Sequence, residues 1–254
     1  MKTREGNTER RIALVSGAMG YLGKAISKKL AEDDMTVVLL TNQSSKEDTL
    51  SFIKTLKGTG HKTYHCDLES NSEFSTIIQQ IEKEIGVPFV CVHAAGLKPD
   101  RKKLLETTFS EMERQCKINI LGSFNFLSQC GKILQRQKKG VLIGITTIGI
   151  ISPEFGRGLG GYIPAKWATQ GILTMLREEL KSSNIRVYSL APGFMPGGMN
   201  NDIPMAFKEM ARLKNPYKKN TTDLDIANKI SYLCSDVAIG EKTFTHIVAE
   251  EYQK

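Results

Sequence analysis

The sequence has few of the features that mark secreted, membrane-spanning or disulfide-bonded proteins. It contains five cysteines in 254 residues, and their odd number and wide spacing, without a C-x-x-C pair, favour reduced thiols over a disulfide framework. The segment Met1–Arg11 is charged and has no apolar core, so no secretory signal is visible. The longest apolar run, Val141–Ile151, is too short to span a bilayer. We therefore expect a soluble cytoplasmic protein without a membrane partner.

Metal ions and nucleic acids are also poorly supported as ligands. The four histidines show no metal-ligand spacing, so we expect no metal site. Aromatic residues make up only 7% of the chain and do not alternate with lysine or arginine as in single-strand binders. The net charge of +8 favours anionic partners, such as a phosphorylated cofactor or an acidic carrier protein. Basic residues on a solvated surface would give the same charge.

Apolar runs alternate along the chain with segments of helical periodicity. We predict strands at Ile12–Ser16, Thr36–Thr41, Thr63–Cys66, Phe89–His93, Val141–Thr146, Ile185–Leu190 and His246–Ala249. We predict helices at Leu22–Glu32, Lys46–Lys57, Ser72–Ile85, Phe109–Arg136, Tyr162–Leu180 and Thr222–Cys234. Strands of continuous Val, Ile and Leu between helices are typical of a parallel sheet buried on both faces. The expected fold is α/β, a doubly wound parallel sheet of the Rossmann type in a single domain over residues 1–254.

The segment Pro192–Lys219 interrupts this pattern. It contains four of the eight prolines and a Gly197–Gly198 pair. A long loop in a compact domain is usually a lid or a binding loop. We therefore predict an irregular substrate loop over residues 192–219, with a short helix near Met205–Leu213.

A glycine-rich turn follows the first strand and opens the first helix. It reads Ser16-Gly17-Ala18-Met19-Gly20-Tyr21-Leu22-Gly23. Gly17 permits the tight turn, Gly20 lets the backbone approach a pyrophosphate, and Gly23 allows close packing of helix on sheet. The helix N-terminus offers unpaired N–H groups and a positive dipole end to the phosphates. The turn predicts a dinucleotide site with contacts from Gly17, Met19, Gly20, Tyr21, Leu22 and Gly23.

The end of the second strand bears on the choice of cofactor. Thr41 and Asn42 stand where an acidic residue would bind the ribose 2′-hydroxyl of NAD. Without a carboxylate there is no repulsion of a 2′-phosphate, and Thr41, Asn42 and Ser44 can donate hydrogen bonds to one. We therefore predict a preference for NADP(H). Because no arginine stands there to decide the choice, NAD remains an alternative.

Tyr162 and Lys166 open a helix after a glycine-rich loop. Their i,i+4 spacing places the phenol and the ammonium on one helix face. A nearby lysine favours phenolate over phenol, which would lower the tyrosine pKa towards the working range of a general acid or base. The same spacing occurs often on solvated helices, so the pair taken alone favours a structural role.

These motifs together resemble the short-chain dehydrogenase/reductase family over nearly the whole chain, from Arg10 to Glu241. The glycine turn and the tyrosine–lysine pair are joined, in family order, by Asp67-Leu68, His93-Ala94-Ala95-Gly96, Asn119, Thr146-Thr147 and Ala191-Pro192-Gly193. Several motifs in register are more specific than any single one. Within the family, Leu97–Asn119 most resembles the 3-oxoacyl-[acyl-carrier-protein] reductases, although their usual D-G-G ending is missing.

The resemblance implies a role for each of these residues. Tyr162 would exchange a proton with the substrate oxygen, and Lys166 would lower its pKa and bind the nicotinamide ribose. Asn119 would help to hold a water in a proton relay, and Thr147 would orient the substrate oxygen in place of the usual serine. Cofactor contacts are implied for Asp67, Leu68, Ala94, Ala95, Gly96, Pro192 and Gly193, together with Tyr162 and Lys166.

Four positions depart from the usual family pattern. The glycine turn departs at Tyr21, because its spacing is S-G-x-x-G-x-x-G, as in extended or atypical members, and not T-G-x-x-x-G-x-G. His93 replaces the Asn of N-A-A-G, which we expect to alter only a turn contact. Thr147 adds a methyl group to the usual serine, and its neighbour Thr146 leaves the register open by one residue. Met195-Pro196 follows the P-G motif where a threonine often touches the carboxamide.

The expected activity is NAD(P)(H)-dependent reduction of a ketone or 3-oxoacyl group, with the proton from Tyr162. The substrate would be a small-molecule or thioester carbonyl compound, and Lys98, Arg101, Lys102 and Lys103 could meet an acidic acyl carrier protein. One alternative is a dehydrogenase or reductase of a small polyol, sugar or polyketide intermediate. Another is a non-catalytic dinucleotide-binding regulator. The family also implies a homodimer or homotetramer, built partly on Phe109–Arg136 and Tyr162–Leu180.

Overall fold

A computed structural model describes residues 10–42, 44–214 and 218–248 of the chain. The strands are β1 Ile12–Ser16, β2 Thr36–Thr41, β3 Lys62–His65, β4 Val90–His93, β5 Gly140–Ile145, β6 Ile185–Pro192 and β7 Thr245–Val248. The α-helices are α1 Tyr21–Glu32, α2 Lys46–Ile53, α3 Asn71–Glu84, α4 Phe109–Gln115, α5 Gly122–Gln137, α6 Tyr162–Leu180, α7 Met205–Lys214 and α8 Asp223–Cys234. A π-helical turn, Cys116–Leu121, joins α4 to α5.

The seven strands form one sheet in the order β3-β2-β1-β4-β5-β6-β7, and each neighbouring pair is parallel. The strand order reverses between β1 and β4, whose ends are in register at Ser16 and His93. In open parallel sheets, ligands bind in the crevice at the carboxyl ends of the strands where the order reverses. The predicted doubly wound sheet is therefore confirmed, and it fixes where a cofactor site belongs.

Strands β1, β2, β4, β5 and β6 are buried on both faces, as their apolar sequences predict, whereas the edge strand β3 exposes Lys62 and His65. Ala13 and Val15 of β1 face a core shared with α1 and α8, where Ile26 and Ile230 are fully buried. The alternate residue Leu14 faces the opposite core, which is shared with α3, α5 and α6. Two hydrophobic layers therefore hold the sheet rigid and leave only its edges and ends open.

The structure differs from one predicted helix and confirms another. The single helix predicted over Phe109–Arg136 is interrupted by the π-helical turn, and π-turns within helices occur often at functional sites. The segment predicted to be irregular contains helix α7, close to the expected Met205–Leu213. Pro216 of that segment and Ala249 of the predicted last strand lie outside the described residues.

Within residues 10–42, 44–214 and 218–248, no helix is both long enough and apolar enough to cross a bilayer.

Candidate functional site

The glycine turn packs against the segment that follows β4. Gly17 adopts a left-handed φ of +62°, and a Cβ at this position would lie 2.7 Å from the Ala95 backbone N and Cα. A Cβ on Gly23 would lie 2.1 Å from the Gly17 carbonyl oxygen. A side chain at Gly17 would push the turn away from the segment after β4, and one at Gly23 would push α1 away from the turn, which explains why both positions are glycine.

The N-terminus of α1 fits a phosphate group. Its N-cap residue, Gly20, has no side chain to accept the first N–H groups, and the first turn contains no acidic residue. The backbone N–H of Gly20 is held by the Gly17 carbonyl at 2.9 Å. The next N–H groups and the positive end of the helix dipole point towards the crevice, as an anionic pyrophosphate requires.

A buried hydrogen-bond chain joins this turn to Asn119. The Asn119 carbonyl accepts a hydrogen bond from Ser123 Oγ at 2.7 Å. Because Ser123 uses its only proton there, it must accept from His93 Nε2, which lies 2.9 Å away. His93 Nδ1 then accepts from Ser16 Oγ at 2.8 Å. Burial, with the positive charge of Lys166 as a second cause, lowers the pKa of His93 to about 3, so the ring is neutral.

Asn119 lies in the π-helical turn, is 1% exposed, and has protein partners for its Oδ1 and for both hydrogens of its Nδ2. Its Oδ1 accepts from the Leu97 N–H at 2.8 Å, and its Nδ2 donates to the Leu97 carbonyl at 3.0 Å. A Cβ on Gly96 would lie 2.9 Å from Asn119 Oδ1 and 3.7 Å from Lys166 Nζ. Asn119 therefore fixes the Gly96–Leu97 segment beside the lysine.

Tyr162 and Lys166 begin α6 at the carboxyl end of β5. Lys166 is 4% exposed, and its Nζ donates to the Ile145 carbonyl at 2.9 Å and lies 5.6 Å from the centre of the Tyr162 ring. Burial lowers the pKa of Lys166 to about 8 and raises the pKa of Tyr162 to about 12. The expected lowering of the tyrosine pKa by the lysine is therefore wrong for this structure, in which removal of the phenol from water raises that pKa.

The two neighbouring threonines occupy different environments. Thr146 is buried, and its hydroxyl bonds to Ser189 Oγ at 3.0 Å and to the Leu190 carbonyl at 3.1 Å. Thr147 is partly exposed, and its hydroxyl accepts only a long 3.4 Å bond from the Gly149 N–H. The hydroxyl of Thr147 is therefore the freer of the two for a substrate oxygen.

The remaining predicted cofactor residues lie along the same edge of the sheet. Thr41 and Asn42 end β2, Asp67 and Leu68 follow β3, Ala94 and Ala95 follow β4, and Pro192 and Gly193 end β6. A cleft of about 430 Å³ opens beyond β2 and is lined by Met19, Lys24, Ser44, Asp48, Ser51, Phe52 and Thr55. Its mixed lining of hydroxyls, one lysine and one carboxylate adjoins the predicted ribose end of the site.

Several residues of the site had no predicted role. Ser123 and Lys24 belong to no recognised motif. Only the need of the buried His93 for hydrogen-bond partners could have suggested Ser123. Arg101, predicted only as a carrier-protein contact, also joins the loops after β4 and β6, because it donates to the Met199 carbonyl at 2.9 Å and to Asn200 Oδ1 at 2.8 Å. Such a contact between distant loops leaves no trace in sequence spacing.

The four basic residues predicted for a carrier protein already have acidic partners in the chain. Lys98 and Arg101 lie 3.4 Å and 3.6 Å from Asp202. Lys102 and Lys103 pair with Glu111 and Glu106, at 2.5 Å and 3.9 Å. All four are at the surface, so these pairs are weak and exchangeable.

The sheet crevice, the glycine turn and the tyrosine–lysine pair together define a dinucleotide-dependent oxidoreductase. The chain belongs to the short-chain dehydrogenase/reductase family, since a family model described as enoyl-(acyl carrier protein) reductase matches residues 17–245. It is an NAD(P)-dependent enzyme that acts on CH–OH or C=O groups, and its cofactor is a nicotinamide dinucleotide.

Curated relatives match almost the full length. The chain is 27% identical over 228 residues to the 3-oxoacyl-[acyl-carrier-protein] reductase FabG of Staphylococcus epidermidis, covering 89% of this chain and 92% of the relative. It is 25% identical to FabG of Thermotoga maritima, covering 90% and 92%. It is 27% identical to nodulation protein G of Rhizobium meliloti, covering 90% and 91%.

Solved structures support the fold. An NAD⁺-bound xylitol dehydrogenase superimposes with a TM-score of 0.85 at 19% identity, covering 94% of this chain and 97% of that one. A short-chain type dehydrogenase/reductase from Mycobacterium ulcerans gives a TM-score of 0.85 at 19% identity, covering 95% and 89%. At this identity the likeness concerns the fold alone.

Proposed function

We propose that this enzyme reduces a ketone or 3-oxoacyl group, with Tyr162 as the proton donor. The observation that carries the proposal is the placement of Tyr162 beside the buried Lys166, at the crevice where the glycine turn ends. The relatives named 3-oxoacyl-[acyl-carrier-protein] reductase support a 3-oxoacyl thioester as the substrate class.

The residues divide the chemistry between them. A bound nicotinamide dinucleotide supplies the hydride. Tyr162 donates its proton to the carbonyl oxygen as that oxygen gains charge, and Thr147 orients the same oxygen. Lys166, anchored on Ile145, presents a cationic group to the ribose and to the phenol. Asn119 holds the Gly96–Leu97 segment that forms the floor beside them.

The pyrophosphate and the adenosine of the cofactor are assigned to the half of the carboxyl edge of the sheet formed by β1, β2 and β3. The first turn of α1, with Gly17, Met19, Gly20 and Leu22, holds the pyrophosphate. Thr41, Asn42, Asp67 and Leu68 contact the adenosine, while Ala94, Ala95, Pro192 and Gly193 line the nicotinamide half. We prefer NADP(H), because no acidic residue ends that strand and Lys24 and Ser44 line the cleft beyond β2, where Lys24 balances the charge of Asp48.

The central experiment is NADPH oxidation, followed spectrophotometrically with acetoacetyl thioesters and a panel of simple ketones. Tyr162→Phe is expected to reduce kcat by about 10²- to 10⁴-fold, the usual contribution of a general acid, while dinucleotide binding persists. Tyr232→Phe is the matched control, since Lys229 lies 5.0 Å from that ring on the surface of α8.

The outcomes separate the hypotheses. Loss of turnover only in Tyr162→Phe supports the proposal. No NADPH oxidation with any carbonyl compound, despite dinucleotide binding, would leave a non-catalytic regulator as the better description. A thioester preference over ketones would support the 3-oxoacyl substrate, and addition of an acidic carrier protein would test for a lower KM.

We also propose a homo-oligomer in the cytoplasm. Trp167 and Met175 are more than half exposed on one stripe of α6, and Leu121 and Phe124 are similarly exposed at the start of α5. A second copy of the chain would cover these apolar side chains in a homodimer or homotetramer. The five free cysteines support a reducing compartment.

A further inference from the structure

Tyr21 occupies a position where the common T-G-x-x-x-G-x-G pattern has glycine. It is the first residue of α1, so its backbone belongs to the turn assigned to the phosphates. Its ring leaves the turn and lies along Gly197 and Gly198, in the loop after β6. The large side chain of Tyr21 therefore packs on two residues, Gly197 and Gly198, that have no side chain.

The fit between the ring and the loop is close. A Cβ on Gly197 would lie 2.6 Å from Tyr21 Cζ and 2.8 Å from its hydroxyl oxygen, and a Cβ on Gly198 would lie 2.9 Å from Tyr21 Cβ and Cδ1. Gly197 has φ −102° and ψ −175°, a conformation open to any residue. The Tyr21 ring, and not the backbone, therefore restricts position 197, because a side chain there would require the ring to shift.

The Tyr21 side chain also contacts helix α8. The Tyr21 hydroxyl donates to Asp223 Oδ1 at 3.2 Å, at the start of α8. This bond restrains the ring between α1, the loop and α8.

The loop carries this contact into the catalytic centre. Two residues beyond Gly197, Met199 Cε approaches to within 3.9 Å of a Cβ built on Gly96. The same point lies 3.7 Å from Lys166 Nζ. A displacement of the loop at Tyr21 would therefore move Met199 relative to the lysine.

We propose that Tyr21 and Gly197 form a size-matched pair that holds residues 196–200 against the phosphate end of α1 and so positions Met199 beside Lys166. Tyr21 is a positioning residue in this scheme. The inference rests on the proposed function, because its consequence is measured as dinucleotide binding and turnover.

The test is a double-substitution cycle on NADPH affinity and on kcat. In the native background, Gly197→Ala places a methyl group against the Tyr21 ring and displaces it. This substitution is expected to weaken NADPH binding by about tenfold, within the usual range of coupling between contacting residues. In a Tyr21→Gly background the methyl group has room, so Gly197→Ala is expected to change the affinity by less than about twofold. Gly171→Ala is the matched control, because no atom outside its own helix backbone lies within 4 Å of its Cβ position. Because Gly171 lies between Trp167 and Met175, the control is valid when its mass by light scattering equals that of the native protein.

Each outcome bears on the pair. Equal losses from Gly197→Ala in the two backgrounds would overturn the inference and leave the proposed function intact. If Gly197→Ala alone does not fold, the melting temperature of the double variant replaces affinity, and failure of Tyr21→Gly to restore folding would overturn the pair. If the native protein binds no dinucleotide, the proposed function fails, and the inference about positioning the catalytic site fails with it.

Discussion

Replacement of His93 by asparagine should reduce the sensitivity of the folded state to acid. The His93 ring is 1% exposed, lies 5.1 Å from the Phe126 ring and donates to Ser123 while accepting from Ser16. Protonation would place a second proton on Nδ1, where the Ser16 hydroxyl now donates. The cation would also lie in an apolar site near the positive charge of Lys166.

The size of the effect follows from the pKa of His93, which falls from 6.5 to about 3 on folding. Because the unfolded chain takes up the proton first, stability is present above pH 6.5 and is lost as the pH falls towards 3. Integration between pH 7 and pH 5 gives a loss of about 2 kcal/mol from this residue. The loss would continue below pH 5.

Urea unfolding of the native protein and of His93→Asn at pH 7 and at pH 5 measures how much stability each protein loses between the two pH values. Both proteins contain His246, whose pKa burial also lowers, so its contribution cancels in the comparison. The exposed His65 gives the control, since His65→Asn should retain the full loss. Equal losses between pH 7 and pH 5 in the native protein and in His93→Asn would refute a neutral, buried His93.

Substitutions at Gly23, Lys24 and Trp167 test the glycine turn, the cleft beyond β2 and the proposed oligomer interface. Gly23→Ala should lower the free energy of unfolding by about 1–3 kcal/mol, because its Cβ would meet the Gly17 oxygen at 2.1 Å; unchanged urea unfolding would contradict this. Lys24→Gln should raise the KM for NADPH about tenfold, through loss of a charged hydrogen bond, and leave the KM for NADH unchanged in steady-state assays; equal changes would exclude a 2′-phosphate contact. Trp167→Glu should reduce the mass measured by light scattering to that of a monomer, and an unchanged mass would move the interface elsewhere.

The fold was predictable because it depends on local patterns. Continuous apolar strands such as β1 and β6 can be buried only in a two-sided parallel sheet, and Gly17 and Gly23 mark the turn that must pack closely. The π-helical turn around Asn119 was not predicted, because the helical periodicity of the sequence continues through residues 116–121. Hydrogen bonding, rather than hydrophobic spacing, distinguishes such a turn from an α-helix.

The site was predictable as a set of residues but not as a network. His93 was expected to alter only a turn contact, whereas the structure makes it the link between Ser16 and Ser123. Partners that lie 77 and 30 positions away in the chain leave no spacing to recognise. The same reason hides the packing of Tyr21 on Gly197, since each residue viewed alone is only a departure from a pattern.

The tyrosine–lysine pair shows how burial changes a prediction made from spacing. The sequence places Lys166 on the same helix face as Tyr162, and a lysine so placed should favour the phenolate. Burial acts on both groups in the direction of the neutral form, raising the pKa of Tyr162 to about 12 and lowering that of Lys166 to about 8. Near neutral pH the pair is then a phenol beside a cationic lysine. A phenol is the form that gives a proton to a carbonyl oxygen, as the proposed reduction requires.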